Sequence, residues 1–329
     1  MGMFEFLKAN PLLDAVHNAR LKLTPWRALL VLLVLVMIGG ILSMIPIYTY
    51  LMIRMLLTVE PSYLFAPDLP QEELAARMTE LTEAMLYEDG YLLTSFFSSA
   101  FVLVLAIVYC RFIEHRSLFS MGLSLRGGAM KKLGIGGFLG AVLFLLVTLL
   151  SYAMGGITVA QGNAKIGWLI LFFLAILVDA ASEEVLFRGY LMMSLCNTVR
   201  PRSAIILSGI LFAVMHGGNA GVTVLSLVNV FAFGCLLGLL VFRTGSLWTS
   251  IGLHAMWNFF SGNVFGATLS GIPIGTSILT STPVAGRDQT SGGVFGPEAG
   301  LVTTVVLLLA FLVFIRLFAS RDASSDADR

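Results

Sequence analysis

Asp179-Ala180-Ala181-Ser182-Glu183-Glu184-Val185-Leu186-Phe187-Arg188 lies inside a long apolar run, Ile166 to Asn197, that reads as a membrane-spanning helix. Insertion of an Asp, Lys or Arg at the centre of such a helix costs roughly 2.5–3.5 kcal/mol, so three acids and a base there point to function by default. The alternative is a salt-bridged cluster that only holds helices together. The rest of the chain has to discriminate.

Of 329 residues, 57% are hydrophobic and 12% charged, and the mean hydropathy is +0.91. Such a composition excludes an ordinary soluble domain and implies a multi-span membrane protein. The apolar runs are too long for barrel strands, so the fold class is an all-α polytopic helix bundle. A net charge of +1 carries no basic excess and excludes nucleic acid as a partner. Cys110, Cys196 and Cys235 are far apart and form no C-x-x-C pair. They read as small core residues rather than a disulfide or metal framework. No cleaved signal peptide is evident at the N-terminus.

Residues 1–27 mix apolar positions with Lys8, Arg20, Lys22 and Arg27, as expected of a cytoplasmic interfacial segment. A membrane domain of eight spans is expected over 28–318. The spans run about 28–57, 91–112, 133–154, 166–197, 203–216, 222–242, 247–265 and 301–318. Residues 60–90, with Pro61, Pro67 and Pro70 ahead of an acidic stretch, read as an extracytoplasmic loop helix. Residues 266–299 read as a Gly/Ser/Thr/Pro-rich loop and 319–329 as a disordered cytoplasmic tail. Eight spans leave Arg54, Arg77, Lys165 and Arg287 on one face and the other bases on the opposite one. That asymmetry predicts a multi-pass cell-membrane protein with both termini in the cytoplasm.

Two histidines, His216 and His254, lie in apolar segments, and Asn258 follows His254 by one turn. At a rise of 1.5 Å per residue, Glu183 and His216 each come out roughly 20 Å above the inner ends of their helices. His254 and Asn258 come out roughly 10–17 Å above theirs. The sequence reading therefore gathers polar groups from three helices at one level, in the inner half of the bilayer.

Glu184 and Arg188 are four apart, share a face and can neutralise one another. Glu183 points about 100° away, free to meet a different neighbour and to serve as a general base beside a histidine. His254 and Asn258 would present two donors side by side, as an oxyanion requires. Asp179, one turn before Glu183, is given a packing or hydrogen-bonding role. The reaction suggested is peptide hydrolysis by activated water. No H-E-x-x-H and no G-x-S-x-G occurs. A zinc site of Glu183, His216 and His254 stays open, since two histidines and a glutamate form a known zinc set.

At these residues the chain resembles the CAAX protease and bacteriocin-processing (CPBP, or Abi) family of intramembrane endopeptidases, which includes the type II CAAX prenyl endopeptidases. Its E-E-x-x-x-R motif is matched by Glu183, Glu184 and Arg188, its F-x-x-x-H by Phe212 and His216, and its H-x-x-x-N by His254 and Asn258. The match covers about residues 167–260. The resemblance implies a proteolytic core in which Glu183 and His216 activate water, His254 and Asn258 stabilise the oxyanion, and Glu184 with Arg188 supports the site. It implies a membrane-embedded peptide or lipidated, possibly prenylated, protein as substrate, cut near the cytoplasmic face. No cofactor is expected, with zinc the alternative. The stretch Thr290 to Glu298 also resembles a segment of some bacterial members, to which no chemistry attaches. A non-catalytic membrane scaffold, immunity or transport protein using the same polar cluster is the competing function.

Overall fold

The computed structural model describes residue 7 and residues 10–58 and 70–327. The expectations for residues 1–6, 8–9, 59–69 and 328–329 lie outside the described residues. The chain forms α1 (Pro11–His17), α2 (Pro25–Thr58), α3 (Gln71–Leu86), α4 (Asp89–Ile113), α5 (Ala129–Ala153) and β1 (Ile157–Gln161). Then come α6 (Ile166–Glu184), α7 (Pro201–Met215), α8 (Val224–Thr244), α9 (Leu247–Phe259), β2 (Leu279–Pro283) and α10 (Leu301–Ala327). This is an all-α bundle. Among the described residues α2, α4, α5 and α8 are long and apolar enough to cross a membrane by themselves. The full count of eight is not reached on length and composition alone.

Several details differ from the sequence reading. The apolar face of α1 (Leu12, Leu13, Val16) is buried against protein rather than laid on lipid. Within 266–299, β2 pairs antiparallel with β1, Ile157 opposite Pro283 and Gln161 opposite Leu279. Helix α10 runs on to Ala327, through most of the stretch read as a disordered tail. The acidic α3 buries only Met85. Just beyond it, Glu88 accepts from Arg54 Nε at 2.7 Å and from Tyr50 Oη at 2.7 Å, and the bond from Arg54 holds its carboxyl below the usual range.

The two ends of the bundle are set apart by their contacts. At one end the N-terminal segment closes on the helix termini: Asn10 Nδ2 donates to Phe242 O at 2.6 Å, and His17 Nε2 lies 3.2 Å from Cys196 O. The start of α9 belongs there too, with Leu247 N bonded to Gly122 O. At the other end lie β1 and β2, the bond from Asn219 Nδ2 to Ser270 O (2.8 Å) and the bond from Thr276 to Asp89. Helix α7 runs from the first end to the second.

The helix that carries His254 is held by α5. Gly136 and Gly140, one turn apart, press directly on α9: a Cβ at either would collide with the carbonyl oxygens of Thr249 and Leu253. Small residues four apart allow this close approach, which in a bilayer substitutes for a hydrophobic driving force. Gly140→Val is expected to force the helices apart and destabilise the fold by about 1–3 kcal/mol. A lowered melting temperature of the detergent-solubilised protein, with His254 displaced from Glu184, is the measurement.

Candidate active site

Helix α6 does not end at Glu184. It continues as a π-helical stretch, Val185–Met192, and a last α turn, Met193–Leu195. Wide turns of this kind concentrate at functional positions because they re-aim side chains without ending the helix. Here the junction falls directly after the two glutamates.

The neighbouring carboxylates have different environments. Glu184 is wholly buried and both its oxygens are taken. Oε1 accepts from Arg188 Nη1 at 2.7 Å and meets His254 Nδ1 at 3.0 Å, while Oε2 accepts from Ser250 Oγ. The Glu183 side chain is 32% exposed, and its Oε2 lies 3.6 Å from His254 Nε2. One imidazole therefore bridges the two acids. Glu184 anchors the ring, and Glu183 stands free on its other side.

His216 follows the last turn of α7. Its Nδ1 lies 2.8 Å from Phe212 O, so Nδ1 carries the proton and donates, leaving the Nε2 lone pair as an acceptor. The Phe212 ring packs against both imidazoles, with centroids 4.7 Å from His216 and 6.0 Å from His254. The same ring also carries Arg188, whose Cζ is 4.2 Å from the ring centre. Asn258 is buried one turn beyond His254.

Glu183, His216, His254 and Asn258 all line one cavity of about 350 Å³. The structure brings together every residue singled out from sequence, but the imidazole in contact with Glu183 is that of His254. The cavity also recruits residues the motifs miss. Asp179, given a packing or hydrogen-bonding role, lines it one turn from Glu183. Glu298 closes another wall, accepting from Trp257 Nε1 at 2.9 Å and from Ser270 Oγ. Ser250 is buried four residues before His254, a spacing that puts both on one face and makes it findable from sequence.

The cavity lies further from the N-terminal end of the bundle than the inner-half placement expects. The cavity reaches Asn219, Leu269, Ser270 and Glu298, at the end of the bundle away from the N-terminal segment. A level roughly 20 Å above one end of a core about 30 Å thick already lies past its midpoint.

Among the described residues, no three His, Cys, Asp or Glu side chains are grouped as metal ligands. In the set Glu183, His216 and His254, Glu184 occupies Nδ1 of His254 and the Phe212 carbonyl occupies Nδ1 of His216.

Residues 165–260 match the family model described as type II CAAX prenyl endopeptidase Rce1-like. The matched segment, less than a third of the chain, contains all three motifs and the whole glutamate–histidine arrangement. No curated protein matches the chain.

Proposed function

We propose that the protein is an intramembrane endopeptidase that hydrolyses a peptide bond of a membrane-associated substrate entering this cavity. The observation that carries the reading is the division of labour between adjacent glutamates: Glu184 is fully engaged, while Glu183 faces the cavity with an imidazole beside it. In the proposed reaction a water held between Glu183 and His216 Nε2 attacks the scissile carbonyl carbon. Its proton passes to Glu183, and the carbonyl oxygen becomes an oxyanion. His254, protonated on both nitrogens with Nδ1–H on Glu184, donates to that oxyanion through Nε2–H, and Asn258 donates through its amide. The C–N bond then breaks as Glu183 returns the proton to the leaving nitrogen, which departs as an amine. Two carboxylates of different environment thus take two roles, one catalytic and one that orients its partner.

With both termini in the cytoplasm, as the charge asymmetry has it, the cavity lies in the outer half of the membrane. The substrate would then be a membrane-embedded or lipidated peptide cut on that side of the midplane. Comparative membrane proteomics of wild type against Glu183→Gln tests the function: a precursor should accumulate in the variant. Indistinguishable proteomes would leave a non-catalytic scaffold, immunity or transport role. Chelator treatment of purified protein tests the zinc-dependent version, and activity should persist.

Asn258→Ala should slow turnover by about 10²–10³ with little change in KM, since an oxyanion donor acts chiefly in the transition state. Steady-state kinetics on a cleaved peptide are the check, and a purely KM effect would remove the residue from the oxyanion site.

A further inference from the structure

The cavity wall opposite the motifs carries a buried carboxylate that the proposed reaction does not use. Glu298, 8% exposed, has two hydrogen-bond donors, Trp257 Nε1 and Ser270 Oγ, and no cation among the described residues. Two neutral donors hold the group in place but leave its charge uncompensated, and a buried charge without a counter-ion is costly. The same cavity is lined by Asp179 and Glu183, and by no lysine or arginine among the described residues. Its cationic capacity is limited to the two imidazoles.

The placement relative to the reacting centre is defined by α9. Trp257 is three residues after His254 and directly before Asn258, so the Glu298 carboxylate is bonded to the helix that carries the oxyanion donors. The Phe233 ring packs on both His254 and Trp257, with centroids 5.5 Å and 4.9 Å away, and completes the wall between them. A substrate in the cavity would thus lie against Glu298 as well as against the reacting residues, which line the same cavity.

We infer that Glu298 is a specificity-determining residue that receives a lysine or arginine side chain of an internal substrate segment. This rests on the endopeptidase reading and adds the substrate class. The same charge distribution opposes a C-terminal CAAX peptide, whose free α-carboxylate falls three residues beyond the modified cysteine. That carboxylate would enter a cavity lined by the Glu183 and Glu298 carboxyl groups and, among the described residues, by no lysine or arginine, a like-charge placement that disfavours binding.

The test uses full-length protein in proteoliposomes and a quenched-fluorescent peptide series of one internal sequence. Lys, Gln or Glu stands at each position flanking the scissile bond, with the C-terminus either amidated or free. Wild type should prefer Lys over Glu at one position and amidated over free ends. Glu298→Gln, which keeps an acceptor for Trp257, should raise KM for the Lys peptide roughly tenfold or more, as loss of a buried charge partner does. It should leave the Gln peptide within a factor of a few. An equal loss on all peptides would make Glu298 purely structural and overturn the inference. Glu183-dependent cleavage without charge preference would overturn it too, while sparing the protease reading. No Glu183-dependent cleavage of any peptide would overturn both.

Discussion

Glu183→Gln should abolish cleavage while the protein inserts, folds and melts as wild type does. The substitution keeps the shape of the side chain and an oxygen and nitrogen at the cavity, but it cannot accept the proton of an attacking water. Glu183 is partly exposed to the cavity, and its one ion-pair contact, 3.6 Å to His254 Nε2, is too long for a strong hydrogen bond, so little stability depends on it. The expected signature is therefore a loss of kcat to background with an unchanged melting temperature. Glu184→Gln in the same assay is a contrasting control. Glu184 holds Arg188, His254 and Ser250 together, so its loss should lower both stability and activity. Residual cleavage by the Glu183 variant above background would transfer the base role to another group and remove the mechanism.

The contrast between these glutamates was only partly legible beforehand. Helical spacing alone put Glu184 with Arg188 and turned Glu183 elsewhere, because positions four apart share a face whatever surrounds them. The depth argument likewise needed only the rise per residue to bring α6, α7 and α9 to a common level. What spacing cannot supply is the rotation of one helix against another, which depends on close contacts such as Gly136 and Gly140 on α9. That rotation decides that His254, rather than His216, touches Glu183. The half of the bundle is misjudged for a simpler reason: a level roughly 20 Å from one end of a core about 30 Å thick lies past its midpoint, and His216 closes the far end of α7.

Glu298 illustrates a different limit. A single acid in a glycine-rich loop has the composition of a solvated turn, and the signals that bury it come from 41 residues away at Trp257 and 28 away at Ser270. The pairing of β1 with β2 is of the same kind. Ile157–Gln161 finds its partner only after the intervening helices have been placed, and neither strand is long enough to announce itself by alternation. Long-range closure of the far end is thus written in the tertiary structure, and the half of the cavity it builds was invisible to motif reading.

Arg188→Met should be the most destabilising single change in the motif set. Arg188 and Glu184 are both fully buried, with 2.7 Å between Nη1 and Oε1, and the guanidinium lies on the Phe212 ring. Removing one partner leaves a desolvated charge behind, which typically costs 3–5 kcal/mol, on the order of the whole stability of many folds. The stranded Glu184 would still hold His254 Nδ1 and Ser250, so its charge cannot be relieved by turning to water without breaking those bonds. Phe212 would lose the cation while keeping its contacts with His216 and His254, loosening the aromatic link between two imidazoles. A large fall in melting temperature is expected, together with loss of activity. The double variant Glu184→Gln/Arg188→Met removes both charges together. It should recover most of the stability but not the activity, because His254 no longer has an anion to orient it. Thermal unfolding of the three variants in parallel measures this. A loss in the double variant equal to the sum of the two single losses would mean that the pair is not energetically coupled, and that the wide turn after Glu184 is held in place by packing alone.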